Sequence, residues 1–190
     1  MENNKFELLA DFYEFTMSNG CFIKNNTDIA YFDVFFRKIP DNGGYAINAG
    51  LEQIIEFIKN LSFTEDDINY LRSQKIFSED YLNYLSNFKF TGDIWAIPEG
   101  TVVFPYEPII TVKAPIVEAQ LLETFLLAMI NHESLIATKA SRIVRAAKGK
   151  PVMEFGARRA HGTSAAIYGA RAAIIGGAVR YLLYTYSKNV

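Results

Sequence analysis

The segment VMEFGARRAHGTS, residues 152–164, decides how the second half of this chain is interpreted. Residues 152–155 form a short, mostly apolar run that is typical of one buried strand. Thr163 and Ser164 stand where an N-cap is expected before the helical run 165–175. The pattern predicts a strand that leads into a helix through a short loop, and in α/β proteins such a loop lies at the ligand-binding edge.

Two arginines, Arg158 and Arg159, stand in that predicted loop, shortly before the predicted helix N-terminus. Guanidinium donors, fixed positive charge and the helix dipole together favour an anion at this place. An arginine pair can also brace a domain interface without binding any ligand. The sequence leaves both interpretations open, because clustered charge is only probabilistic evidence of function.

The composition predicts a folded protein with a sizeable core. Half of the 190 residues are hydrophobic and 14% are aromatic, which is not typical of disordered chains. The formal net charge of −2 does not favour nucleic acid or an acidic membrane surface as a partner. Cys21 is the only cysteine, which excludes an internal disulfide and a cysteine-cluster metal site. With no leader-like start and no apolar stretch of bilayer length, we expect a soluble, cytoplasmic protein.

Hydrophobic periodicity and turn residues predict the other elements. Apolar residues at helical spacing predict helices over residues 8–20, 50–61, 64–72, 78–87, 116–131 and 134–148. Runs of β-branched and aromatic residues predict strands over 30–38, 93–97, 102–106 and 108–113. The last three strands are expected to form a small antiparallel sheet, with Trp95 as a core anchor. The order predicts an α+β region followed by the start of a β/α alternation, which is too short to close an eight-unit barrel.

The first predicted helix carries an aromatic residue whose role is open. Four residues are expected to form its buried stripe: Leu9, Phe12, Phe15 and Thr16. Tyr13 lies off that stripe. A tyrosine in this position can stack on a flat ring, or it can pack on a neighbouring element.

Basic residues near two other predicted elements have equally open roles. Arg37, at the end of the first predicted strand, is more typical of an ordinary surface charge than of an anion site. The helix over 134–148 carries four basic residues at intervals of three: Lys139, Arg142, Arg145 and Lys148. Such a stripe is usually a solvated helix face, although it can border a phosphate site.

Several segments resemble the N-terminal portion of nicotinate phosphoribosyltransferases. They are LLADFYEFTMSNG, FDVFFRKIPDNGGYAINAGLEQII, GDIWAIPEGTVVFPYEPIITVKAP, QLLETFLLAMINHESLIATKASRIV and EFGARRAHG followed by AAIYGARAAIIGGA. Together they cover roughly residues 6–178 in order. The resemblance implies the condensation of nicotinate with phosphoribosyl pyrophosphate to nicotinate mononucleotide and pyrophosphate, in NAD biosynthesis and salvage. It also implies coupling to ATP through a phosphorylated histidine, with Mg²⁺ at the phosphates.

The resemblance implies a fold and an assembly as well. It implies an α+β N-terminal domain over residues 1–115 with bridging helices over 116–148. The first units of an incomplete, irregular β/α barrel of the type II phosphoribosyltransferase kind would span 116–178. A homodimer with sites at the subunit interface is expected, although no motif of this chain itself is predicted to bind ATP or a metal. A transferase for nicotinamide or quinolinate fits these motifs less well.

The resemblance assigns substrate-binding roles to particular residues. Tyr13 matches the tyrosine that stacks on the nicotinate ring. Arg158 and Arg159 match an active-site pair that would hold the substrate carboxylate or phosphoribosyl oxyanions. Three further residues match positions near the phosphoribosyl group: Arg37, Thr138 and Lys139. Since positive charge develops on the ribose while pyrophosphate leaves, catalysis would rest on positioning and electrostatic stabilisation.

No catalytic residue is assigned, because neither His132 nor His161 matches the family's phosphorylated histidine. Residues 179–190, VRYLLYTYSKNV, also depart from the family pattern, in which a Gly-Thr-Ser-like turn follows. A one-base frameshift near codon 179 of a longer gene is compatible with this tail. A natural short protein that ends in an apolar helix or strand is the alternative.

Three functional hypotheses follow from the resemblance. The chain could be a fragment of a nicotinate phosphoribosyltransferase, which is expected to be inactive alone because most of the barrel is missing. It could instead complement a separately made chain that supplies the rest of the barrel. It could also be a non-catalytic binding or regulatory protein that pairs with a full-length enzyme. Turnover by the purified chain alone would contradict the first hypothesis.

Overall fold

The computed structural model describes residues 6–181, except for the side chains of Pro40 and Tyr181. The helices are α1 Phe12–Ile23, α2 Leu51–Asn60, α3 Glu65–Ser73, α4 Glu79–Ser86, α5 Ile116–Ala119, α6 Glu123–Ala146 and α7 Thr163–Ile175. The strands are β1 Ile29–Val34, β2 Ala46–Ile47, β3 Asp93–Ala96, β4 Val102–Val103, β5 Ile110–Pro115, β6 Met153–Glu154 and β7 Arg180–Tyr181. The rest of the predicted atypical tail, residues 182–190, lies outside the described residues.

The chain divides into two compact units, each built from separate stretches of sequence. The first contains the residues up to Asp33 together with Glu52–Trp95 and Ile110–Leu127. The second contains Val34–Leu51, Ala96–Ile109 and the residues from Ala128 onward. Neither unit follows the predicted boundary between residues 115 and 116. The predicted domain division stays a prediction.

Three short helices confirm the sequence prediction. Helices α2, α3 and α4 lie within a residue or two of the predicted positions. Thr64 and Asp67 form a capping box at the start of α3, because each side chain accepts a hydrogen bond from the other residue's backbone N–H. No helix within residues 6–181 is both long enough and apolar enough to cross a membrane.

Helix α1 buries a different face from the predicted stripe. Phe15 is buried, but Phe12 keeps 64% of its surface exposed and Leu9 keeps 43%. The buried residues of α1 are Glu14, Phe15, Ser18 and Asn19. The Ser18 hydroxyl donates to the Val117 carbonyl oxygen at 2.9 Å. The predicted stripe is therefore wrong, because hydrogen-bonded polar side chains take the place of apolar ones on the buried face.

The predicted strands pair differently from the expected three-stranded antiparallel sheet. Strand β5 lies between β1 and β3, while β4 pairs antiparallel with β2. Trp95 on β3 keeps 53% of its surface exposed, so its predicted role as a core anchor is wrong. The side chains of a strand alternate between faces, and Trp95 shares the outward face with Asp93, which pairs with Lys113 at 3.6 Å.

One long helix, α6, replaces much of the two helices predicted over 116–131 and 134–148. The chain breaks earlier, at the 3₁₀ turn Gln120–Leu122, and then stays helical from Glu123 to Ala146. The predicted break near Ser134 is wrong because the polar side chains there make buried contacts. The Ser134 hydroxyl accepts from the Ala49 N–H at 3.0 Å and donates to the Ala49 carbonyl oxygen at 3.1 Å.

Strands β6 and β7 pair in parallel on either side of helix α7 in the chain, which makes a β–α–β unit. The predicted strand–loop–helix order is confirmed. The N-cap of α7 is Gly162, so the N-cap predicted at Thr163 and Ser164 is wrong. Gly162 has a φ of 111°, a conformation that glycine adopts without strain. A Cβ atom on Gly176 would lie 2.3 Å from the Ala137 carbonyl oxygen, so α7 requires a glycine where it meets α6.

Candidate functional site

The loop between β6 and α7 holds the arginine pair. Arg158 and Arg159 lie in the 3₁₀ turn Ala157–Arg159, and both residues are exposed. The Arg158 guanidinium lies over the Phe155 ring, 4.8 Å from its centroid. This cation–π contact restricts the directions in which Arg158 can point. The pair therefore follows the carboxyl end of a strand in a parallel β–α–β unit, as predicted.

Hydrogen bonds donated by backbone N–H groups stabilise the conformation of the same loop. The Gly156 N–H donates to Glu154 Oε1, and the Arg159 N–H donates to the Gly156 carbonyl oxygen at 2.7 Å. The loop ends at Gly162, where the N-terminus of α7 begins. The amides at a helix N-terminus carry partial positive charge and the two guanidiniums carry full positive charge, so both attract anions. This arrangement can bind a carboxylate or a phosphate.

Thr138 lies inside the second unit with only 3% of its surface exposed. Its hydroxyl donates to the Ser134 carbonyl oxygen at 2.6 Å and accepts from the Ile47 N–H at 2.8 Å. These bonds connect β2 to α6. Since one lone pair of the oxygen is already engaged, the structure gives Thr138 a supporting position, and its predicted role near the phosphoribosyl group stays a prediction.

Lys139 and Arg142 share one carboxylate. Lys139 Nζ and Arg142 Nη1 lie 3.7 and 3.6 Å from Asp41 Oδ2. Lys139 and Asp41 are each about two-thirds exposed, and exposed ion pairs contribute little stability. Two cations beside one carboxylate leave a net positive charge, to which an anion can be drawn.

The same region contains a tyrosine with a perturbed phenol. The Tyr45 hydroxyl lies 3.2 Å from the Ser141 hydroxyl. The hydrogen bond with Ser141, together with the charges of Arg145 and Arg142, lowers the pKa of Tyr45 below its ordinary value, although partial burial acts in the opposite direction. The basic stripe on α6 is thus partly engaged in local contacts. Arg37 follows β1 and is exposed.

Tyr13 lies in the first turn of α1 and keeps 44% of its surface exposed. Partial burial and the nearby carboxylate of Glu123, the first residue of α6, together with the charges of Glu14 and Asp11, raise the pKa of Tyr13 to about 12. The phenol therefore keeps its proton, and the ring remains accessible for stacking on a ligand.

Glu14, the next residue, is almost fully buried. Its Oε1 accepts from the Thr124 N–H at 3.1 Å and from the Thr124 hydroxyl at 2.5 Å, which caps the start of α6. No partner for Oε2 lies among the described residues. Burial raises the pKa of Glu14 above its ordinary value, and the charge of Glu123 acts the same way, whereas the Thr124 hydrogen bonds oppose it.

A buried cluster of charges in the second unit is absent from the sequence predictions. Arg171 on α7 donates from Nη2 to Glu99 Oε2 at 2.6 Å and from Nη1 to Glu133 Oε2 at 3.2 Å. Glu99 Oε1 also accepts from the Gly50 and Leu51 N–H groups, at 2.7 and 3.0 Å, and so caps α2. Burial alone would raise the pKa of Glu99, but Arg171 and the two amides lower it below its ordinary value. The sequence feature that could have indicated this cluster is Arg171, which is the only charged residue of helix α7.

The predicted site residues are distributed between the two units. Five of them belong to the second unit: Arg37, Thr138, Lys139, Arg158 and Arg159. Tyr13 belongs to the first. Within residues 6–181, no three His, Cys, Asp or Glu side chains lie together as a metal site requires.

Comparison with known proteins relates these features to one family. Residues 8–131 match the model of the nicotinate phosphoribosyltransferase (NAPRTase) N-terminal domain. Nicotinate phosphoribosyltransferase pncB2 of Mycobacterium tuberculosis is 48% identical over 171 residues, which is 90% of this chain and 37% of that protein. The chain thus spans little more than a third of the length of this curated relative.

Solved structures agree with the sequence comparison. The crystal structure of human nicotinic acid phosphoribosyltransferase superposes with a TM-score of 0.83 at 30% identity, over 90% of this chain and 35% of that one. A nicotinate-nucleotide pyrophosphorylase from Pyrococcus furiosus superposes with a TM-score of 0.75 at 27% identity, over 95% of this chain and 40% of that one. Because the family model matches well over half of the chain, the protein belongs to the nicotinate phosphoribosyltransferase N-terminal domain family.

Proposed function

We propose that this chain is the substrate-binding N-terminal portion of a nicotinate phosphoribosyltransferase of NAD biosynthesis. In this reaction the ring nitrogen of nicotinate uses its lone pair to form a bond with C1 of the ribose of phosphoribosyl pyrophosphate. The bond from C1 to the pyrophosphate oxygen breaks, and its electron pair leaves with pyrophosphate. The products are nicotinate mononucleotide, whose ring is a pyridinium, and pyrophosphate.

The arginine loop carries the proposal. Both substrates are anions, and an anion that leaves water needs charged donors to replace its hydration. Arg158 and Arg159 are exposed, follow a strand of a β–α–β unit and stand just before a helix N-terminus. We assign them to the nicotinate carboxylate or the phosphoribosyl oxyanions, with Arg37, Lys139 and Thr138 near the phosphoribosyl group.

Tyr13 contributes the aromatic surface in this proposal. Its side chain is 44% exposed, so the ring can stack on the pyridine of nicotinate.

The remaining family properties are proposed with the function. The β6–α7–β7 unit would be the start of an irregular β/α barrel of the type II phosphoribosyltransferase kind, in a cytoplasmic homodimer. ATP and Mg²⁺ stay expectations from the family, and we assign no step to them. Complementation of a second chain and a non-catalytic, regulatory pairing are the alternatives.

Calorimetric titration of the purified chain with nicotinate and with phosphoribosyl pyrophosphate tests the proposal. We expect Arg158→Ala and Arg159→Ala to weaken binding of at least one anion about ten- to hundredfold, the effect of losing a charge-assisted hydrogen bond. Lys89→Ala removes an exposed positive charge outside the proposed site and is the matched control. Equal affinities for the parent and both arginine variants would contradict the assignment.

An assay for nicotinate mononucleotide separates the alternatives. The parent chain is incubated with both substrates, ATP and Mg²⁺, first alone and then with a full-length enzyme of the family. Product from the chain alone would assign it the complete reaction. Binding without product, together with a changed rate of the full-length enzyme, would favour the regulatory alternative.

A further inference from the structure

The carboxylate that pairs with Lys139 and Arg142 belongs to a strained turn. Asp41 lies in the 3₁₀ turn Pro40–Asn42, where it has a φ of 58° and a ψ of 27°. Asn42 follows it with a φ of 51°. Left-handed backbone costs energy at every residue that carries a Cβ atom, and such strain persists only where other contacts hold it. The conformation of this turn therefore depends on contacts outside the turn itself.

Two cations on α6 supply those contacts. Asp41 Oδ2 lies 3.6 Å from Arg142 Nη1 and 3.7 Å from Lys139 Nζ. A Cβ atom on Gly43 would collide with the Arg142 guanidinium, so the backbone of the segment lies directly against this cation. We call residues 40–44 the strap. The strap partly covers Arg142, whose side chain keeps 27% of its surface exposed.

The pairing of Asp41 with the two cations is weak enough for a ligand to replace it. Both distances are longer than the 2.7–2.9 Å, roughly, of a charge-assisted hydrogen bond. Asp41 and Lys139 are each about two-thirds exposed, and exposed ion pairs contribute little stability. A phosphate group brings about 1.5–2 negative charges and three acceptor oxygens, whereas Asp41 brings one charge. A phosphate therefore satisfies two neighbouring cations better than Asp41 does.

Arg142 has further contacts that do not involve the carboxylate of the strap. Its Nη2 donates to the Tyr45 carbonyl oxygen at 3.5 Å, and its guanidinium lies 6.0 Å from the centroid of the Tyr45 ring. The Tyr45 hydroxyl in turn lies 3.2 Å from the Ser141 hydroxyl. Gly43 and Gly44 precede Tyr45, and a Cβ atom on Gly44 would meet nothing within 4 Å. The cation thus stays in place while the glycines allow the strap to move.

The strap and the cations together make a site that is closed by its own carboxylate. We propose that Asp41 is an internal competitor for a phosphate oxyanion at Lys139 and Arg142, and that the strap opens when this anion binds. The inference rests on the proposed role of Lys139 near the phosphoribosyl group, and it adds Arg142 to that role. A closed state lowers the apparent affinity for every competing anion by the same factor. The strap thereby sets the phosphate concentration at which the site fills.

Nuclear magnetic resonance of the ¹⁵N-glycine-labelled 190-residue chain tests the inference. The chain is titrated with inorganic phosphate and, separately, with pyrophosphate, and the Gly44 amide signal is identified by its loss in Gly44→Ala. We expect this signal to shift as either anion binds. In Asp41→Asn the midpoint of each titration should fall about two- to fivefold, the range for an exposed ion pair. Asparagine also tolerates left-handed backbone, so the substitution changes the charge and not the turn.

Matched controls separate the strap from general electrostatics. Asp28→Asn removes an exposed carboxylate outside the strap and should leave both midpoints unchanged. Lys139→Ala should raise both midpoints, and Asp41→Asn should gain less in that background, because the two side chains are coupled. The same spectra contain Gly156 and Gly162, which border the arginine loop. Anion binding at that loop is therefore observed separately from binding at the strap.

Each outcome bears on the inference. Equal gains for phosphate and pyrophosphate in Asp41→Asn would support competition. A larger gain for the more highly charged pyrophosphate would mean that Asp41 stays in place and only repels the anion, which would overturn the inference. A Gly44 signal that neither anion shifts would overturn the opening of the strap. Midpoints that are unchanged in Lys139→Ala would overturn the inference together with the proposed role of Lys139, while the roles of Arg158 and Arg159 would still stand on their own titration.

Discussion

Two carboxylates, the buried Glu14 and the partly buried Glu99, each cap a helix N-terminus, but their pKa values shift in opposite directions. Glu14 accepts from the Thr124 N–H at the start of α6, and Glu99 accepts from the Gly50 and Leu51 N–H groups at the start of α2. In each case a carboxylate that is distant in sequence caps the helix, in place of a side chain at the N-cap position itself. The two helices therefore begin where a tertiary contact places them.

The difference lies in the second partner of each carboxylate. Arg171 binds both oxygens of Glu99, at 2.9 and 2.6 Å, and the pKa of Glu99 is lowered. Glu14 has only Thr124 as a described hydrogen-bond partner, and Glu123 beside it is negative, so the pKa of Glu14 is raised. Burial penalises the charged form in both places, and at Glu99 the nearby Arg171, together with the two backbone amides, reverses the result.

The largest expected effect comes from removing the cation. Arg171→Met leaves Glu99 and Glu133 buried without it, and we expect a loss of about 3–5 kcal/mol in the free energy of unfolding. Urea denaturation followed by circular dichroism measures the loss. Arg72→Met is the matched control, because the Arg72–Glu79 pair is exposed and should contribute about 0–1 kcal/mol. Similar losses for both variants would contradict the assignment of a buried, coupled cluster.

Glu99→Gln should have an intermediate effect that depends on pH. Because the folded-state pKa of Glu99 is below its unfolded value, its ionic contribution is present above about pH 4.5 and is lost as the pH falls through the folded pKa. We expect the substitution to cost about 1.5–3 kcal/mol at pH 7, the range for a hydrogen bond to a charged group. Unfolding curves at pH 7 and pH 3 should show that the difference from the parent shrinks in acid. A difference that is constant with pH would mean that the charge of Glu99 does not matter.

Much of the local structure could be predicted from the sequence, because it depends on neighbouring residues. The capping box of Thr64 and Asp67 is such a local pattern, and helices α2, α3 and α4 lie where the spacing of apolar residues predicts them. The strand–loop–helix around Arg158 is confirmed for the same reason. The continuity of α6 could not be predicted, since the polar residues Glu133 and Ser134 indicate a break unless their distant partners are known.

The sequence indicates which charged residues belong to the candidate site, but it does not indicate the distant partners that shift the pKa of the acidic residues. Arg158 stands out in sequence by its charge and its place before a helix. The hydrogen bond from the Thr124 N–H to Glu14 joins residues 110 positions apart along the chain. No spacing rule reaches that far, and so the roles of Glu14 and Glu99 follow only from the folded structure.

Glu14→Gln should have the smallest effect, with the opposite dependence on pH. Since the folded-state pKa of Glu14 is raised, the stability that the protonated form provides is complete below the unfolded pKa and is lost as the pH rises through the folded pKa. Glutamine keeps an oxygen that can accept from Thr124 and cannot ionise, which removes the penalty for a buried charge. We therefore expect the variant to gain up to about 1 kcal/mol relative to the parent between pH 4 and pH 8.

Paired unfolding curves at those two pH values measure this gain, and Glu56→Gln, on an exposed helix face, supplies the baseline for losing a carboxylate. As the pH rises, the free energy of unfolding relative to the parent would then fall for Glu99→Gln and rise for Glu14→Gln. If both variants lost stability relative to the parent as the pH rose, Glu14 would have to be ionised and favourably paired in the folded protein. The two carboxylates would then respond alike, and the presence of Arg171 at Glu99 alone would no longer distinguish them.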